Sequence, residues 1–219
     1  MTIGFQSDGF VAQRQKMVAA QLRARGIRDE RVLAAMGRVP RHLFVADEYR
    51  HSAYEDHPLP IGVGQTISQP YVVAASIEAL ALGGSERVLE VGAGTGYQAA
   101  VLSVLAREVI ALEAIPALAE SARERLARLG YANVRVEVGD GSQGFAEAAP
   151  FDAILVAAAA PAVPQPLIDQ LTEGGRLVIP VGTTEHQQLL RIVRSAGRTT
   201  EQQLFACRFV PLVGRHGWR

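Results

Sequence analysis

Apolar residues along the chain switch repeatedly between helical and strand-like spacing, and that alternation predicts the architecture before any motif is considered. Between residues 9 and 25, Val11, Met17, Val18, Ala20 and Leu22 recur among Gln, Arg and Lys at helical spacing, and Gly26 is placed to end the helix. Asp29 suits the N-cap of a second helix through Met36, which Gly37 and Pro40 stop, and Leu43, Phe44 and Val45 form a short segment that docks on the body. Residues 54–70 are punctuated by proline and glycine and predict a long loop of functional type; from Tyr71 to Leu82 the pattern is helical again.

Val88, Leu89 and Val91 then make the apolar run of a buried central strand, which enters a glycine-rich turn and a helix from near Tyr97. Further strands are expected at 108–112, 134–138, 153–157 and 176–180, with helices at 98–106, 116–129 and 167–171, the last broken by Gly174-Gly175. Two β-rich runs, Gln188 to Arg194 and Gln203 to Val213, flank Ser195-Ala196-Gly197 and read as a closing antiparallel pair. The sum is an α/β fold: a doubly wound, mostly parallel sheet with a reversed C-terminal edge strand, preceded by N-terminal helices. A length of 219 residues suits one domain. Within it, residues 1–70 form a helical extension with a substrate loop, 71–185 the α/β core, and 186–219 a β-rich segment that contacts substrate. No internal repeat or low-complexity segment interrupts the pattern.

Composition changes this picture little. Lys plus Arg and Asp plus Glu number 22 each, so no net field draws the chain to nucleic acid or an anionic membrane. Cys207, the single cysteine, has no intramolecular disulfide partner and reads as a small strand residue, which suits a reducing, cytoplasmic setting. From Gln6 onward the N-terminus is polar and charged, without the apolar core of a leader, and the apolar stretch from Ala153 to Val163 contains a proline and is too short to span a bilayer.

The candidate chemistry gathers on Glu90-Val91-Gly92-Ala93-Gly94-Thr95-Gly96. Three glycines let the backbone approach a ligand, and the helix that follows turns its positive end toward the same place, favouring a carboxylate, phosphate or hydroxyls. The dinucleotide fingerprint requires a third glycine where Tyr97 stands, so the pattern looks like the first motif of S-adenosylmethionine-dependent methyltransferases rather than that of a dehydrogenase. Glu113, at the end of the next strand, is placed to accept hydrogen bonds from ribose hydroxyls. Asp140, between Gly139 and Gly141 at another strand end, suggests a contact with an adenine amino group, with Gly141 and Ser142 beside the ring. Asp-Gly is also an ordinary turn. Ser68 reads two ways, as an N-cap for the helix after Pro70 or as a hydroxyl that holds an anionic group. The five histidines are not required as acid or base, and no metal-ligand spacing occurs.

Several separated stretches resemble the protein-L-isoaspartate O-methyltransferases over almost the whole chain: Val39-Pro40-Arg41 with Phe44-Val45, Leu59-Pro60-Ile61-Gly62 with Gly64-Gln65-Thr66-Ile67-Ser68-Gln69-Pro70, Val88 to Tyr97, Val138 to Gly141, Pro150 to Ile154, Gly175 to Gly182, and Phe209-Val210-Pro211-Leu212. Ala157 departs from the threonine often found in bacterial relatives, which removes one polar contact near the cofactor. The resemblance implies a class I methyltransferase sheet with S-adenosylmethionine across its strand ends, held by Thr66, Ile67, Glu90, Gly92, Ala93, Gly94, Thr95, Gly96, Glu113, Asp140, Gly141 and Ser142, and leaving as S-adenosylhomocysteine. It implies methylation of the free α-carboxylate of L-isoaspartyl, and by extension D-aspartyl, residues in damaged proteins. The ester then closes to a succinimide, whose hydrolysis restores part of the chain to normal aspartate. Ser68 would orient the carboxylate, while Leu59, Pro60, Ile61, Gly62, Val210, Pro211 and Leu212 bracket the peptide. Neither nucleic acid nor membrane is an expected partner, and a monomer is expected. Other readings are a methyltransferase for a small carboxylate or phenol, and a cofactor-binding protein without catalysis.

Overall fold

Residues 9–218 are described by the computed structural model; residues 1–8, where the polar N-terminal stretch begins, and residue 219 lie outside the described residues. The opening amphipathic segment is one continuous helical run whose hydrogen-bond period changes along it: α1 (Val11–Lys16), a π-helical turn over Met17–Leu22 and a 3-10 turn over Arg23–Arg25, ending at Gly26. Met17 and Leu22 are fully buried. In α2 (Glu30–Arg38), the Asp29 side chain caps the helix by accepting from Arg31 N (2.8 Å) and Val32 N (3.3 Å), a contact worth about 1 kcal/mol. Gly37 does not stop this helix. It lies inside α2 beside Val18, and the end comes at Val39, driven into extended backbone by the ring of Pro40.

The segment expected as an open loop contains a small antiparallel hairpin, β1 (Leu59–Gly62) and β2 (Gln65–Ile67). Leu59 pairs with Ile67, and both are buried, so the hairpin is fixed to the body by its base. It leads into α3 (Pro70–Ala79), with proline in the first turn, where a missing N–H does no harm.

The core then builds in order: β3 (Arg87–Val91), α4 (Tyr97–Leu105), β4 (Glu108–Glu113), α5 (Pro116–Arg128), β5 (Val134–Val138), β6 (Phe151–Val156), α6 (Gln165–Asp169), β7 (Leu171–Gly182), β8 (Gln187–Ser195) and β9 (Arg198–Cys207). These strands form one seven-stranded sheet in the order β5-β4-β3-β6-β7-β8-β9. The first five are mutually parallel; the reversed strand is β8, and β9 turns back beside it as an antiparallel partner. Successive residues of β3 serve opposite layers, as a pleated strand requires: Val88 packs in one apolar cluster, and Leu89 and Val91 in the other. Chain order reverses at β3, whose neighbours are β4 and β6, and a crevice opens there beyond the carboxyl ends of the strands.

Two C-terminal expectations are corrected. Gly174-Gly175 does not break a helix, because Leu171 already belongs to β7. The glycines form an irregularity within it, where a side chain on Gly175 would lie 2.9 Å from the Thr172 carbonyl. The last β-rich run leaves the sheet at Cys207 and then crosses the strand ends. There Ala159 N donates to Val210 O and Leu212 N to Ala159 O, each at 2.8 Å.

Candidate active site

Glycine supplies the turn after β3 with left-handed backbone, at φ +92° for Gly92 and +54° for Gly94, and two hydrogen bonds from Gly92 N (2.8 Å) and Ala93 N (3.0 Å) to Leu112 O tie it to β4. Glu113 completes the attachment, its Oε2 accepting from Gly94 N (2.8 Å) and its Oε1 from Ile115 N (3.0 Å). A carboxylate has about four lone-pair sites, so this buried acid keeps acceptor capacity toward the crevice.

The crevice is a cavity of about 330 Å³ lined by Gly92, Ala93, Gly94, Thr95, Glu113 and Gly141, with Leu112, Ile115 and Leu118 as apolar wall. Thr95 Oγ1 is buried without a hydrogen-bond partner among the described residues, a polar atom waiting for a ligand at the N-terminal end of α4. Acceptor, orphan hydroxyl, helix terminus and apolar wall together fit the carboxylate, ribose and base of S-adenosylmethionine. From the hairpin and its exit, Ile61, Thr66, Ile67 and Ser68 reach the same cavity, as do Val210, Pro211 and Leu212 from the C-terminal crossing.

Four residues read from the sequence as cofactor contacts do not line the cavity. Gly96 lies beneath the turn, where a side chain would come within 2.9 Å of Leu126, so its role is close packing of α4 on α5. Glu90 is fully buried below the turn. Its Oε1 accepts from Gln98 Nε2 (3.0 Å), its Oε2 has no partner among the described residues, and burial pushes its carboxyl up to about 8. Asp140 is occupied by the chain itself: Oδ1 accepts from Ser142 N (3.0 Å) and Ser142 Oγ (2.6 Å), and Oδ2 from Gln143 Nε2 (2.9 Å) and Arg215 N (2.8 Å). Burial acts to raise the Asp140 carboxyl, but these donors outweigh it and hold the group below the usual carboxylate range. Ser142 Oγ accepts in turn from His216 N (2.9 Å). Asp140 and Ser142 thus anchor the C-terminal segment over the cavity, and the backbone of Gly139 and Gly141 forms the wall.

A second cavity, of about 320 Å³, lies on the other side of Ser68, walled by Pro58, Tyr71, Phe205 and Phe209 and shared with the first through Thr66, Ser68, Ala157 and Val210. Ser68 is not the helix cap. Gln69 holds that position without a side-chain cap bond, and the half-buried Ser68 hydroxyl has no partner among the described residues. The cap comes from Asp56, whose Oδ1 accepts from Tyr71 N at 3.1 Å. Of the hairpin residues expected to bracket a peptide, only Ile61 lines either cavity, and it faces the first; Leu59, Pro60 and Gly62 line neither, because the base of β1 is spent on pairing with β2.

Sequence reasoning missed Pro58, Tyr71, Phe205 and Phe209, because aromatic residues in and beside a strand read as core, and it missed Asp56, whose Asp-His-Pro setting was an available signal. Cys207 lies on the second cavity with its thiol pushed up to about 11 by burial, which keeps it unreactive. His42 is buried, stacked on Phe10 at 4.3 Å and hydrogen-bonded to the Tyr54 hydroxyl at 2.8 Å, while His51, His57, His186 and His216 are exposed. Among the described residues no cluster of histidine, cysteine and acidic side chains is placed to hold a metal ion, and no helix is long and apolar enough to cross a membrane.

A parallel sheet that reverses order at β3, a glycine turn there and an acid at the end of β4 define a class I methyltransferase. The sequence profile of the protein-L-isoaspartate(D-aspartate) O-methyltransferase family matches residues 12–217, and the chain belongs to that family. A protein-L-isoaspartate O-methyltransferase of Methanoculleus marisnigri is 54% identical over 98% of this chain and 97% of its own. A solved protein-L-isoaspartate O-methyltransferase superposes with a TM-score of 0.84 at 31% identity, covering 93% of this chain and 67% of that one. A Plasmodium falciparum structure described as a β-aspartate methyltransferase in complex with S-adenosyl-L-homocysteine gives a TM-score of 0.80 at 29% identity, covering 91% and 98%.

Proposed function

We propose that the chain transfers a methyl group from S-adenosylmethionine to the free α-carboxylate of L-isoaspartyl and D-aspartyl residues in damaged proteins and peptides, initiating their repair through a succinimide. The observation that carries this reading is the position of Ser68, an unpartnered hydroxyl in the wall common to two cavities, one fitted to the cofactor and one open to a peptide.

The cofactor supplies an electrophilic methyl group. Glu113 receives the ribose hydroxyls, and Thr95 with the turn after β3 receives the methionine carboxylate. Gly141 and the C-terminal segment anchored by Asp140 and Ser142 enclose the base. The accepting carboxylate, with an ordinary pKa of about 4, is ionised at neutral pH and needs no general base. What remains is placement of one carboxylate oxygen in line with the methyl group, a proximity contribution. Ser68 donates to the other oxygen. A single neutral donor suits a reaction in which the acceptor loses charge, because a stronger one would hold the ground state more tightly than the transition state. The backbone at 210–213 pairs with the peptide as an added strand, which admits many sequences bearing one lesion.

The lone, half-buried Cys207 supports a cytoplasmic setting. Three exposed large apolar side chains among the described residues, Val63, Val138 and Val213, are too few for a stable dimer face and support a monomer. Methyl transfer from labelled S-adenosylmethionine to matched isoaspartyl and aspartyl peptides tests the activity. Base-labile label on the isoaspartyl peptide alone is expected; cofactor binding without transfer to either overturns the substrate assignment.

A further inference from the structure

We infer that Asp56 is a positioning residue for Ser68: it takes over the capping of α3 from outside the helix, which leaves the Ser68 hydroxyl free at the junction of the two cavities. The inference rests on the proposed role of Ser68 in orienting the acceptor carboxylate.

Pro70 occupies the first position of α3 and has no N–H, so the first donor at the helix start is Tyr71 N. An N-cap side chain normally satisfies it, and Ser68 and Gln69 are the local candidates. Neither does so. Asp56 Oδ1 accepts from Tyr71 N at 3.1 Å, and Asp56 Oδ2 accepts from Gln69 Nε2 at 2.8 Å, which also draws the Gln69 side chain away from the cap. The same Oδ2 is ion-paired with Arg25 Nη1, and the Arg25 guanidinium lies over the Tyr71 ring, 3.8 Å from its centroid. The contacts close a ring, Asp56 to Arg25 to Tyr71 and back through the Tyr71 backbone. That ring fastens the end of the opening helical run and the loop before β1 to the residues directly after Ser68. The Asp56 side chain is only 19% exposed, so its hydrogen bonds are well shielded from water. Arg25, Gln69 and Tyr71 themselves line the second cavity, and the fastening therefore forms part of the wall against which the peptide would lie. Without Asp56, the open donor of Tyr71 recruits the nearest acceptor in sequence, the Ser68 hydroxyl, and turns it from the junction toward the helix.

The test is a double-mutant cycle of Asp56→Ala and Ser68→Ala, read as kcat and KM for an isoaspartyl peptide and Kd for S-adenosylhomocysteine, with hydrogen exchange of the 66–73 amides in the same proteins. Asp56→Ala should lower kcat about tenfold with Kd changed less than twofold, and should lower it less than twofold when Ser68 is already alanine. Exchange should quicken at 66–73 and not in the β3–β4–β6 centre. Equal losses of kcat in both backgrounds, or unchanged exchange at 66–73, overturn the inference. Asp56→Asn, which keeps an acceptor for Tyr71 N and loses only the charge paired with Arg25, should give the same pattern at no more than about threefold, and it decides the matter if Asp56→Ala fails to fold. Local exchange that changes as expected in an enzyme without transfer to the isoaspartyl peptide upholds the fastening and overturns the substrate assignment instead.

Discussion

Glu113 accepts the backbone N–H of Gly94 at 2.8 Å, so the acid that ends β4 holds in place the turn that ends β3. One carboxylate thereby shapes the cavity and supplies an acceptor to it. Replacement by alanine loosens the turn and removes the proposed charge-assisted contact to the ribose, with an expected loss of about 1.5–3 kcal/mol in cofactor binding, or roughly 10–150-fold in Kd. Calorimetric titration with S-adenosylhomocysteine measures it, and an unchanged Kd removes Glu113 from the ribose site.

Ser68→Ala separates binding from catalysis. The hydroxyl has no partner among the described residues and caps no helix, so its removal should leave folding and cofactor binding intact. Turnover of a saturating isoaspartyl peptide should fall about tenfold, the equivalent of one neutral hydrogen bond. Steady-state kinetics beside a melting curve will show whether kcat alone moves; equal kcat in both proteins excludes the orienting role.

Glu90 makes stability depend on pH. Burial pushes its carboxyl up to about 8, opposed by the Gln98 hydrogen bond and reinforced by the Glu113 charge, whereas an ordinary glutamate sits at 4.5. Between those values the folded state keeps a proton that the unfolded chain has released. The contribution of Glu90 is therefore fully present below about pH 4.5 and declines as pH rises to about 8, by about 1.4 kcal/mol per pH unit. Glu90→Gln abolishes that decline. Urea unfolding of both proteins at pH 5, 6.5 and 8 should give a difference that grows with pH in favour of the variant; a constant difference means that the buried acid ionises normally.

Gly141→Ala tests the wall opposite the turn. A β-carbon there would stand 2.2 Å from Val91 Cγ1, on a buried strand that cannot retreat. Overpacking of this kind destabilises by about 2 kcal/mol, roughly 4–8 °C in Tm for a chain of this size, and should weaken cofactor binding as well. Calorimetry of the free protein and of its S-adenosylhomocysteine complex reads both effects.

The sheet was legible because β3, β4 and β6 are buried on both faces and read as short apolar runs, and the turn was legible because close backbone approach leaves glycine as the residue that fits. Ser68 and Glu113, which line the first cavity, stood out in the sequence because each sits where an element changes into a turn. The second cavity was not. Its walls come from Pro58, Tyr71 and Phe205, which lie far apart in sequence and meet only when β9 folds alongside α3. The chain partners of Asp140 were not legible for a similar reason: an acid at a strand end looks unengaged until the C-terminal segment, 75 residues later, delivers the Arg215 N–H to it. Ala157 proves to lie in the wall common to both cavities, where Thr66 and Ser68 supply the hydroxyl side chains.

That common wall has a thermodynamic consequence. The same four residues, Thr66, Ser68, Ala157 and Val210, bound both cavities, so ligands on the two sides would share contacts there. Any coupling that those shared contacts produce is reciprocal. The factor by which bound cofactor changes the hold on a damaged peptide is the factor by which that peptide must change the hold on the cofactor, so with a tightening factor an increase in lesion concentration would, by itself, raise the fraction of enzyme loaded to act on it.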